Sequence, residues 1–529
     1  MRRLALIALG STAVACSSPA PAPAPASRPA TPYLTLLSVS PSGASSGIQS
    51  QLVPEFSPTV FDYYVRCAAG DNALDVSMTP SYGASSSLVS PTASPVQPGT
   101  TVAVTARENQ AIVAVATAGS MTTEYWVRCL PHDFPQLAMV RHPEAGNASP
   151  GYYLVGDADL PLGISGYAMV LNGDAVPVWY GGRSAVSMGD VDSLMPGTIS
   201  FTTTLTMGTF VIDRLAPWRT THAAPKGEVL DTHELRVLEN GHFLVIADPV
   251  KMGVDLTGVK ATAPDGSVLT FGPGSNVLDC HVVEFEPTTG KVVWTWVGSE
   301  HFDPALATAE PSIAAETAAD GAPIVEPFHC NSIDVDPKNG NLLVSARNMN
   351  SVFYIERPSG KVLWKIGGRS ASVDGATYIP VTDPFYQQHD ARIVSWSSNC
   401  GGSGQISVFD DHSWRPAPAR GLVLDVVVGS EVGGGGGCPA GVKPSATVAW
   451  QYRGHGNSAI RGSFRIMPDD SRIIGWGNGA APGLVFTEVD EGGDDLLDMY
   501  FPRGVASYRA IKVPLEAFEL GNLRITAGR

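Results

Sequence analysis

The sequence predicts an all-β protein, a six-bladed β-propeller preceded by a small N-terminal β-sandwich. The 529 residues include 56 Gly and 42 Pro spread along the whole chain, which favours many turns between short strands over long helices. From about residue 150, short runs of alternating hydrophobicity recur in units of about 40 residues, the spacing of propeller blades. A chain of this length also predicts two or three folding units.

The clearest repeat lies within residues 329–368. Asn339-Gly340 predicts a hairpin turn between two alternating runs, and two further strand-like runs follow it. Four antiparallel strands in about 40 residues make one propeller blade. The same pattern recurs upstream and downstream and predicts six blades. Seven blades remain an alternative if the C-terminal run Ala506–Thr526 is more than closure.

The N-terminal third has a different character. Its short β-like runs alternate with Ser, Pro and Gly clusters at a period of two, which predicts a β-sandwich. Tyr63-Tyr64-Val65 and the later Tyr-Trp-Val phrase resemble cadherin-like bacterial modules, which implies a spacer or docking role. The expected organisation is a signal peptide at 1–16, a Pro/Ala-rich linker at 17–32, a sandwich at 33–130 and a propeller domain at 150–529.

The first residues predict export. Arg2 and Arg3 precede the apolar stretch Leu4–Ala15, and the following Cys16 makes the segment resemble a bacterial lipobox. Lipid attachment at Cys16 implies a protein anchored at the bacterial cell envelope, periplasmic or at the cell surface. A plain signal peptide cleaved near Ala15 is the alternative. A stiff Pro/Ala tether then suits a domain held off a membrane.

Charge excludes one class of partner. The formal net charge is −16, and no basic run follows the first three residues, so a polyanionic nucleic acid would be repelled. No later segment is long and apolar enough to span a bilayer.

The cysteines predict disulfides. Without Cys16, six of the seven remain, an even number for an oxidising compartment. Two of them end near-identical phrases, two flank a Gly-rich excursion, and two are left over, and no C-x-x-C motif favours zinc. The expected pairs are Cys67–Cys129, Cys400–Cys438 and Cys280–Cys330.

Histidines begin the first strand of consecutive predicted blades. His233, His329 and His389 occupy this position, and first strands line the central channel of a propeller. Because residues at i and i+2 of a strand share a face, Asn331 is expected to point into the channel with His329. Arg347 ends a neighbouring strand at the same mouth. The pattern predicts three imidazoles, an amide and a guanidinium at one opening.

These residues stand in phrases that resemble the bacterial arylsulfotransferase family, which does not use the nucleotide sulfate donor. The phrases are Asp231-Thr232-His233-Glu234, Phe328-His329-Cys330-Asn331-Ser332, Ser345-Ala346-Arg347-Asn348, Lys361-Val362-Leu363-Trp364 and Gln388-His389-Asp390-Ala391-Arg392. The resemblance covers the propeller and implies sulfuryl transfer from a phenolic sulfate ester to a phenol acceptor. The chain departs from the family in the sandwich, in the Gly-rich Cys400–Cys438 excursion and in a less regular first third. These departures leave open the acceptor, the donor and the oligomeric state, for which a homodimer is one option.

The resemblance also implies residue roles. His389 would be the nucleophile that carries a sulfohistidine, and His233 would act as acid or base. His329, Asn331 and Arg347 would hold the sulfuryl oxygens. A fixed guanidinium suits this chemistry, because sulfuryl transfer, like phosphoryl transfer, spreads negative charge over oxygens in the transition state. No cofactor and no metal are expected.

Two other functions compete with this one. A metal-dependent propeller hydrolase or lyase would bind a transition metal through the three histidines, although Arg347 beside them would repel a metal ion. A surface-anchored propeller could instead bind a partner or glycan without catalysis.

Overall fold

The computed structural model describes residues 31–42, 49–203, 208–263, 266–318, 321–397, 399, 402–413, 415–430, 441–454, 456–478 and 482–529. The signal peptide, Cys16, most of the linker, Cys400 and Cys438 lie outside these residues, so their assignments stay predictions. Within the described ranges, no helix is long and apolar enough to cross a membrane. Almost all of the regular structure is β-strand.

The N-terminal unit consists of two packed sheets. Its eight strands are β1 Leu34–Pro41, β2 Gln49–Val53, β3 Asp62–Arg66, β4 Asp71–Pro80, β5 Ser85–Ser90, β6 Thr100–Arg107, β7 Ala111–Ala118 and β8 Met121–Leu130. One sheet has the order β1-β4-β6 and the other β2-β3-β8-β7-β5. Strand β4 alternates buried and exposed residues, as a strand with one face on a core does. The predicted Cys67–Cys129 disulfide is present, and both cysteines belong to the core between the sheets.

The remaining chain forms the larger β unit. In its first half the strands are β9 Ala138–Arg141, β10 Tyr152–Ala158, β11 Gly166–Leu171, β12 Pro177–Ser184, β13 Gly189–Asp192, β14 Thr198–Thr202, β15 Phe210–Leu215, β16 Trp218–Ala223, β17 Leu230–Val237, β18 Phe243–Ala247, β19 Val250–Val254, β20 Lys260–Thr262, β21 Val268–Thr270, β22 Ser275–Leu278, β23 His281–Phe285 and β24 Val292–Val297. Short helices α1 Gly298–His301 and α2 Pro304–Ala307 follow.

In its second half the strands are β25 Ser312–Thr317, β26 Pro323–Glu326, β27 Cys330–Val335, β28 Leu342–Ala346, β29 Ser351–Ile355, β30 Val362–Ile366, β31 Thr377–Ile379, β32 His389–Ser397, β33 Ser403–Asp410, β34 Arg420–Val427, β35 Ser445–Arg453, β36 Ser463–Ile466, β37 Arg472–Gly475, β38 Leu484–Val489, β39 Asp495–Tyr500 and β40 Ala506–Val513. The chain ends with helix α3, Leu520–Thr526.

Sheets built on four antiparallel strands follow one another along the described chain. Their orders are β12-β11-β10-β40, β13-β14-β15-β16, β17-β18-β23-β24, β27-β28-β29-β30 with β31 added, β32-β33-β34-β35, and β36-β37-β38-β39 with β9 added. Strands β13, β17, β27, β32, β36 and β40 contact one another in this order, and β40 also contacts β13. This closed ring of inner strands is the arrangement of a β-propeller, and we interpret the six sheets as its blades.

The C-terminal run does not add a seventh sheet. Strand β40 pairs with β10 and so completes the first sheet of the ring. Helix α3 then reaches the sandwich, where Arg524 forms an ion pair with Asp62 at 2.7 Å and its carbonyl accepts a hydrogen bond from Arg128 at 2.5 Å. The two units are therefore joined by polar contacts through the end of the chain.

An additional sheet interrupts the third blade, and no pattern in the sequence predicted it. Its order is β19-β22-β26-β25-β20-β21, with parallel as well as antiparallel pairs, and it comes from two separate segments of the chain. We call it the insertion sheet. Its small core contains Leu256, Val259, Val277 and Val325. Its last strand, β26, ends at Glu326, three residues before His329.

Candidate active site

His233, His329 and His389 converge at one mouth of the ring. Their ring centroids are 5.0 Å apart for His233 and His329, 6.4 Å for His233 and His389, and 6.5 Å for His329 and His389. One ring nitrogen of each lies within 4.8 Å of the others. The inner strands β17, β27 and β32 position them, as the blade pattern predicted. The three side chains therefore face one small volume.

The backbone at this mouth departs from regular strand geometry. The pairing register shifts in β17, β27 and β32, next to or across the histidine in each case. His329, Gln387 and Asp390 have φ values of 52°, 53° and 55°, a region that costs a residue other than glycine ~1–3 kcal/mol. Register shifts of this kind redirect side chains and occur next to active sites. Strict alternation along the strands therefore fails here.

Buried carboxylates orient two of the imidazoles. His389 Nδ1 lies 2.6 Å from Asp411 Oδ2, and His233 Nδ1 hydrogen-bonds Asp231 Oδ1. A carboxylate on Nδ1 selects the tautomer with its proton on Nδ1, which leaves the lone pair on Nε2. Burial raises the pKa of Asp411 well above its usual range, against the charge of Arg347, so this orientation of His389 belongs to the ionised form of Asp411. Asp411 follows β33, the strand that pairs with the start of β32.

The third imidazole has a carboxylate from the insertion sheet. His329 Nδ1 lies 2.7 Å from Glu326 Oε1. Ser312 donates a hydrogen bond to the other oxygen of Glu326 at 2.9 Å, and Asn348 donates one to its backbone carbonyl at 2.7 Å. The insertion sheet thus forms one wall of the site.

The two oriented imidazoles have opposite pKa shifts. Burial lowers the pKa of His389 well below its usual range, and the nearby charges of Arg347, His233 and His329 lower it further. Burial also acts to lower the pKa of His233, but the charge of Asp231, the hydrogen bond to it and the charge of Glu326 outweigh this and raise it. The shifts favour a neutral His389 and keep His233 protonated to higher pH than an ordinary imidazole. Titratable groups of one type with separated pKa values are typical of an acid and a nucleophile in one site.

Arg347 supplies a buried cation beside His389. It follows β28 and is 7% exposed, with Nη1 donating to Asn348 Oδ1 at 3.1 Å and Nη2 donating to the Ala459 carbonyl at 3.2 Å. Its Nε has no hydrogen-bond partner among the described residues. A guanidinium that has two nitrogens fixed by hydrogen bonds and a third N–H donor unused is suited to bind an oxyanion.

Asn331 is buried beside the chain that leads to His389. Its side chain is 0% exposed, and Nδ2 donates to the carbonyl of Gln388 at 2.7 Å. The Gln388 amide in turn donates to Ser345 Oγ and to the Ser351 carbonyl, both at 2.9 Å. The register shift in β27 breaks the alternation on which the prediction rested. Asn331 therefore holds the residue before His389, its Oδ1 has no hydrogen-bond partner among the described residues, and its contact with the sulfuryl oxygens stays a prediction.

An ionic cluster inside the ring was not predicted. Arg392 bridges Glu234 and Asp390 at 2.6 Å each, and Arg465 donates to both oxygens of Asp390 at 2.8 Å. Arg509 joins it through Glu234. Each charge has opposite charges as neighbours, as buried ions require. Glu234 and Asp390 directly follow histidines, and this adjacency was the available sequence signal.

The predicted Cys280–Cys330 disulfide is present, with a Cα–Cα distance of 6.0 Å. Cys330 directly follows His329, and Cys280 precedes β23 of the neighbouring blade. The bridge therefore ties two blades together beside the third histidine.

The fold and the site together define a β-propeller protein with a three-histidine mouth. The chain belongs to the arylsulfotransferase family: the family model described as Arylsulfotransferase (ASST) matches residues 209–494, more than half of the chain. A solved structure described as a quinonprotein alcohol dehydrogenase-like protein from Bacteroides thetaiotaomicron is 9% identical, with 87% of this chain and 98% of that chain covered and a TM-score of 0.27. No curated protein matches the sequence. Membership of the family supports arylsulfotransferase activity.

Proposed function

We propose that the protein moves a sulfuryl group from a phenolic sulfate ester to a phenol acceptor in two half-reactions, through a sulfohistidine at His389. The observation that carries the proposal is the pair of opposed imidazoles. His389 is buried, neutral and oriented by Asp411, and it faces His233, whose pKa is raised. The pair supplies a nucleophile and an acid beside one cation, with no cofactor required.

The first half-reaction breaks the donor ester. His389 Nε2 attacks sulfur, a nitrogen–sulfur bond forms, and the bond from sulfur to the aryl oxygen breaks. The departing phenolate takes a proton from His233, which becomes neutral. Arg347 and His329 stabilise the charge on the sulfuryl oxygens, because a fixed donor set in a water-poor site costs little reorganisation.

The second half-reaction is the reverse with a different phenol. The acceptor hydroxyl gives its proton to the neutral His233, its oxygen attacks sulfur, and the nitrogen–sulfur bond breaks. Both histidines return to their starting protonation states. Dividing the transfer in this way removes the need to bind donor and acceptor together.

The test follows phenol release and protein mass together. The protein is incubated with 4-nitrophenyl sulfate, with and without phenol and with and without a chelator. We expect a stoichiometric burst of 4-nitrophenol, a gain in intact mass equal to one SO₃ group, and loss of that gain when phenol is added. Acceptor-independent turnover that disappears with a chelator would contradict the proposal.

A metal enzyme is the second candidate, and one observation favours it. One nitrogen of each imidazole lies within 4.8 Å of the others, and each imidazole has a carboxylate at its Nδ1, as metal-binding histidines often have. The raised pKa of His233 and the Arg347 cation oppose it, since both place positive charge where a metal would bind. The chelator arm separates the two candidates, and no turnover with any aryl sulfate would favour a binding module.

The pH dependence gives a second prediction. Release of a strongly basic phenolate needs protonated His233, so the burst rate should fall as pH rises through the raised pKa of His233, above its ordinary value of 6.5. Asp231→Asn removes the negative charge that raises the pKa of His233, so the alkaline limb of the burst-rate profile should move to lower pH. Rapid-mixing measurements with phenyl sulfate check this. 4-Nitrophenyl sulfate is the control, because its leaving group needs little protonation. An unchanged limb in Asp231→Asn would exclude His233 as the acid.

A further inference from the structure

The closing strand β40 brings two residues to the site from beyond residue 494, where the family match ends. The Tyr508 ring lies 5.7 Å from the His233 ring with the planes at 69°, and Tyr508 is 3% exposed. Its hydroxyl donates a hydrogen bond to the His233 carbonyl at 3.0 Å, and Arg509 Nη2 donates to the same oxygen at 3.4 Å. Both hydrogen bonds therefore join the first blade, which contains β40, to the third blade, which contains β17.

The His233 carbonyl needs these donors because of the register shift in β17. Pairing with β18 stops at Asp231 and resumes at Leu235, so the backbone around His233 lies outside the regular ladder. Buried backbone polar groups that leave a ladder require other partners. The His233 N–H donates to the Asp231 side chain at 2.7 Å, and its carbonyl accepts from Tyr508. Side chains thus hold both backbone polar atoms of His233.

Arg509 makes this arrangement rigid. Its guanidinium donates to Asp190 at 2.6 Å and to Glu234 at 3.1 Å, and it lies over the Tyr508 ring at 5.3 Å. Tyr508 is therefore fixed from one side by a buried ion network and from the other by His233. The ring packs edge to face against the imidazole, a geometry that limits rotation.

We propose that Tyr508 is a positioning residue for His233, which keeps the imidazole aimed at the leaving oxygen during proton transfer. The proposal rests on the function proposed above. It assigns a role in the reaction to the strand that closes the propeller ring, so that ring closure and assembly of the site are one event. Of the three site histidines, His233 is the one whose ring packs against Tyr508, so we expect Tyr508 to affect the proton-transfer step without affecting sulfuryl binding.

The test is Tyr508→Phe, which retains the ring and removes the hydroxyl. With phenyl sulfate, whose leaving group needs protonation by His233, we expect kcat to fall about five-fold and the donor KM to stay unchanged. A change of about five-fold is the size that the loss of one hydrogen bond typically produces. With 4-nitrophenyl sulfate we expect less than about a two-fold change. Tyr153→Phe is the matched control. That buried tyrosine lies on β10, the partner of β40, and donates to Glu488 at 2.6 Å, far from the imidazoles, so neither rate should change.

Equal losses with both donors, or the same losses in Tyr153→Phe, would overturn the proposal. Side-chain NMR of ¹⁵N-labelled histidine supplies a readout that does not depend on turnover. In Tyr508→Phe the His233 ring signals should shift while those of His389 stay in place, and unchanged His233 signals would contradict the contact. If the unmodified protein transfers no sulfuryl group, the proposed function fails while NMR still decides whether Tyr508 positions His233.

Discussion

His389→Ala is expected to abolish sulfuryl transfer, with kcat reduced by about 10⁴-fold or more, as loss of a covalent nucleophile does in other enzymes. Alanine has no nitrogen to attack sulfur, so the first half-reaction has no covalent product. Neither the burst of phenol nor the gain of one SO₃ group in intact mass should appear. An adduct that persists in the variant would identify another nucleophile, with His329 the next to test.

Two controls separate chemistry from folding in this experiment. Removing the imidazole takes a hydrogen-bond partner from the buried Asp411, a change that typically costs ~1–3 kcal/mol, so thermal melting must accompany the assay. His389→Gln retains a donor for Asp411 without a nucleophilic nitrogen and should be equally inactive but better folded. His242→Ala is the matched histidine control. That ring also contacts a carboxylate through Nδ1, Glu284 at 2.7 Å, but lies at the opposite end of the blade beside the Asn240-Gly241 turn.

Features of the fold that depend on local sequence were predictable. Asn240-Gly241 and Asn339-Gly340 form the expected turns, and Gly241 and Gly340 have φ values of 81° and 74°, which glycine adopts without strain. Because consecutive antiparallel strands pair through such turns, spacing along the sequence fixes most of each sheet. The disulfides within the described residues followed in the same way from repeated phrases and from elimination.

Features that depend on distant residues were not predictable. The insertion sheet pairs Thr262 with Ser312 and Asn276 with Ile324, and no local pattern signals such pairs. The register shifts that redirect the histidines also lack a glycine or proline that would mark them. One carboxylate could have been predicted from the sequence. Pairing of His389 with Phe409 places the acidic residues that follow Phe409 at the same end of the blade as His389.

The carboxylates explain how one residue type serves two roles in one site. His233 and His389 are both buried, and burial alone would lower both pKa values. His233 has the charges of Asp231 and Glu326 close by, whereas His389 has Arg347 and two other imidazoles, and burial raises the pKa of its neighbour Asp411 well above the usual range. The difference between acid and nucleophile thus arises from neighbours supplied by other strands. A sequence motif can locate these histidines without separating their roles.

Asp411→Asn is expected to reduce kcat by about 10²–10⁴-fold with little change in donor KM. The physical reason is the tautomer of His389. In the proposed mechanism the ionised Asp411 carboxylate, whose Oδ2 lies 2.6 Å from His389 Nδ1, accepts the Nδ1 proton and keeps the lone pair on Nε2. The amide of asparagine donates to Nδ1 instead, so the proton moves to Nε2 and the attacking nitrogen loses its lone pair. Loss of an orienting carboxylate has an effect of this size in a histidine-dependent catalytic triad.

Histidine ¹⁵N NMR measures the tautomer directly, and burst kinetics measure its consequence. Asp410→Asn is the matched control, because Asp410 is an equally buried neighbour that accepts from the Tyr386 and His412 backbone and from Arg420 without contacting an imidazole. That variant should lose stability but keep the His389 tautomer and most of the burst. If Asp411→Asn retained the Nδ1–H tautomer yet lost activity, orientation of the ring by Asp411 would be the operative role. If it retained both tautomer and activity, Asp411 would be structural, since burial and the charges of Arg347, His233 and His329 keep His389 neutral without it.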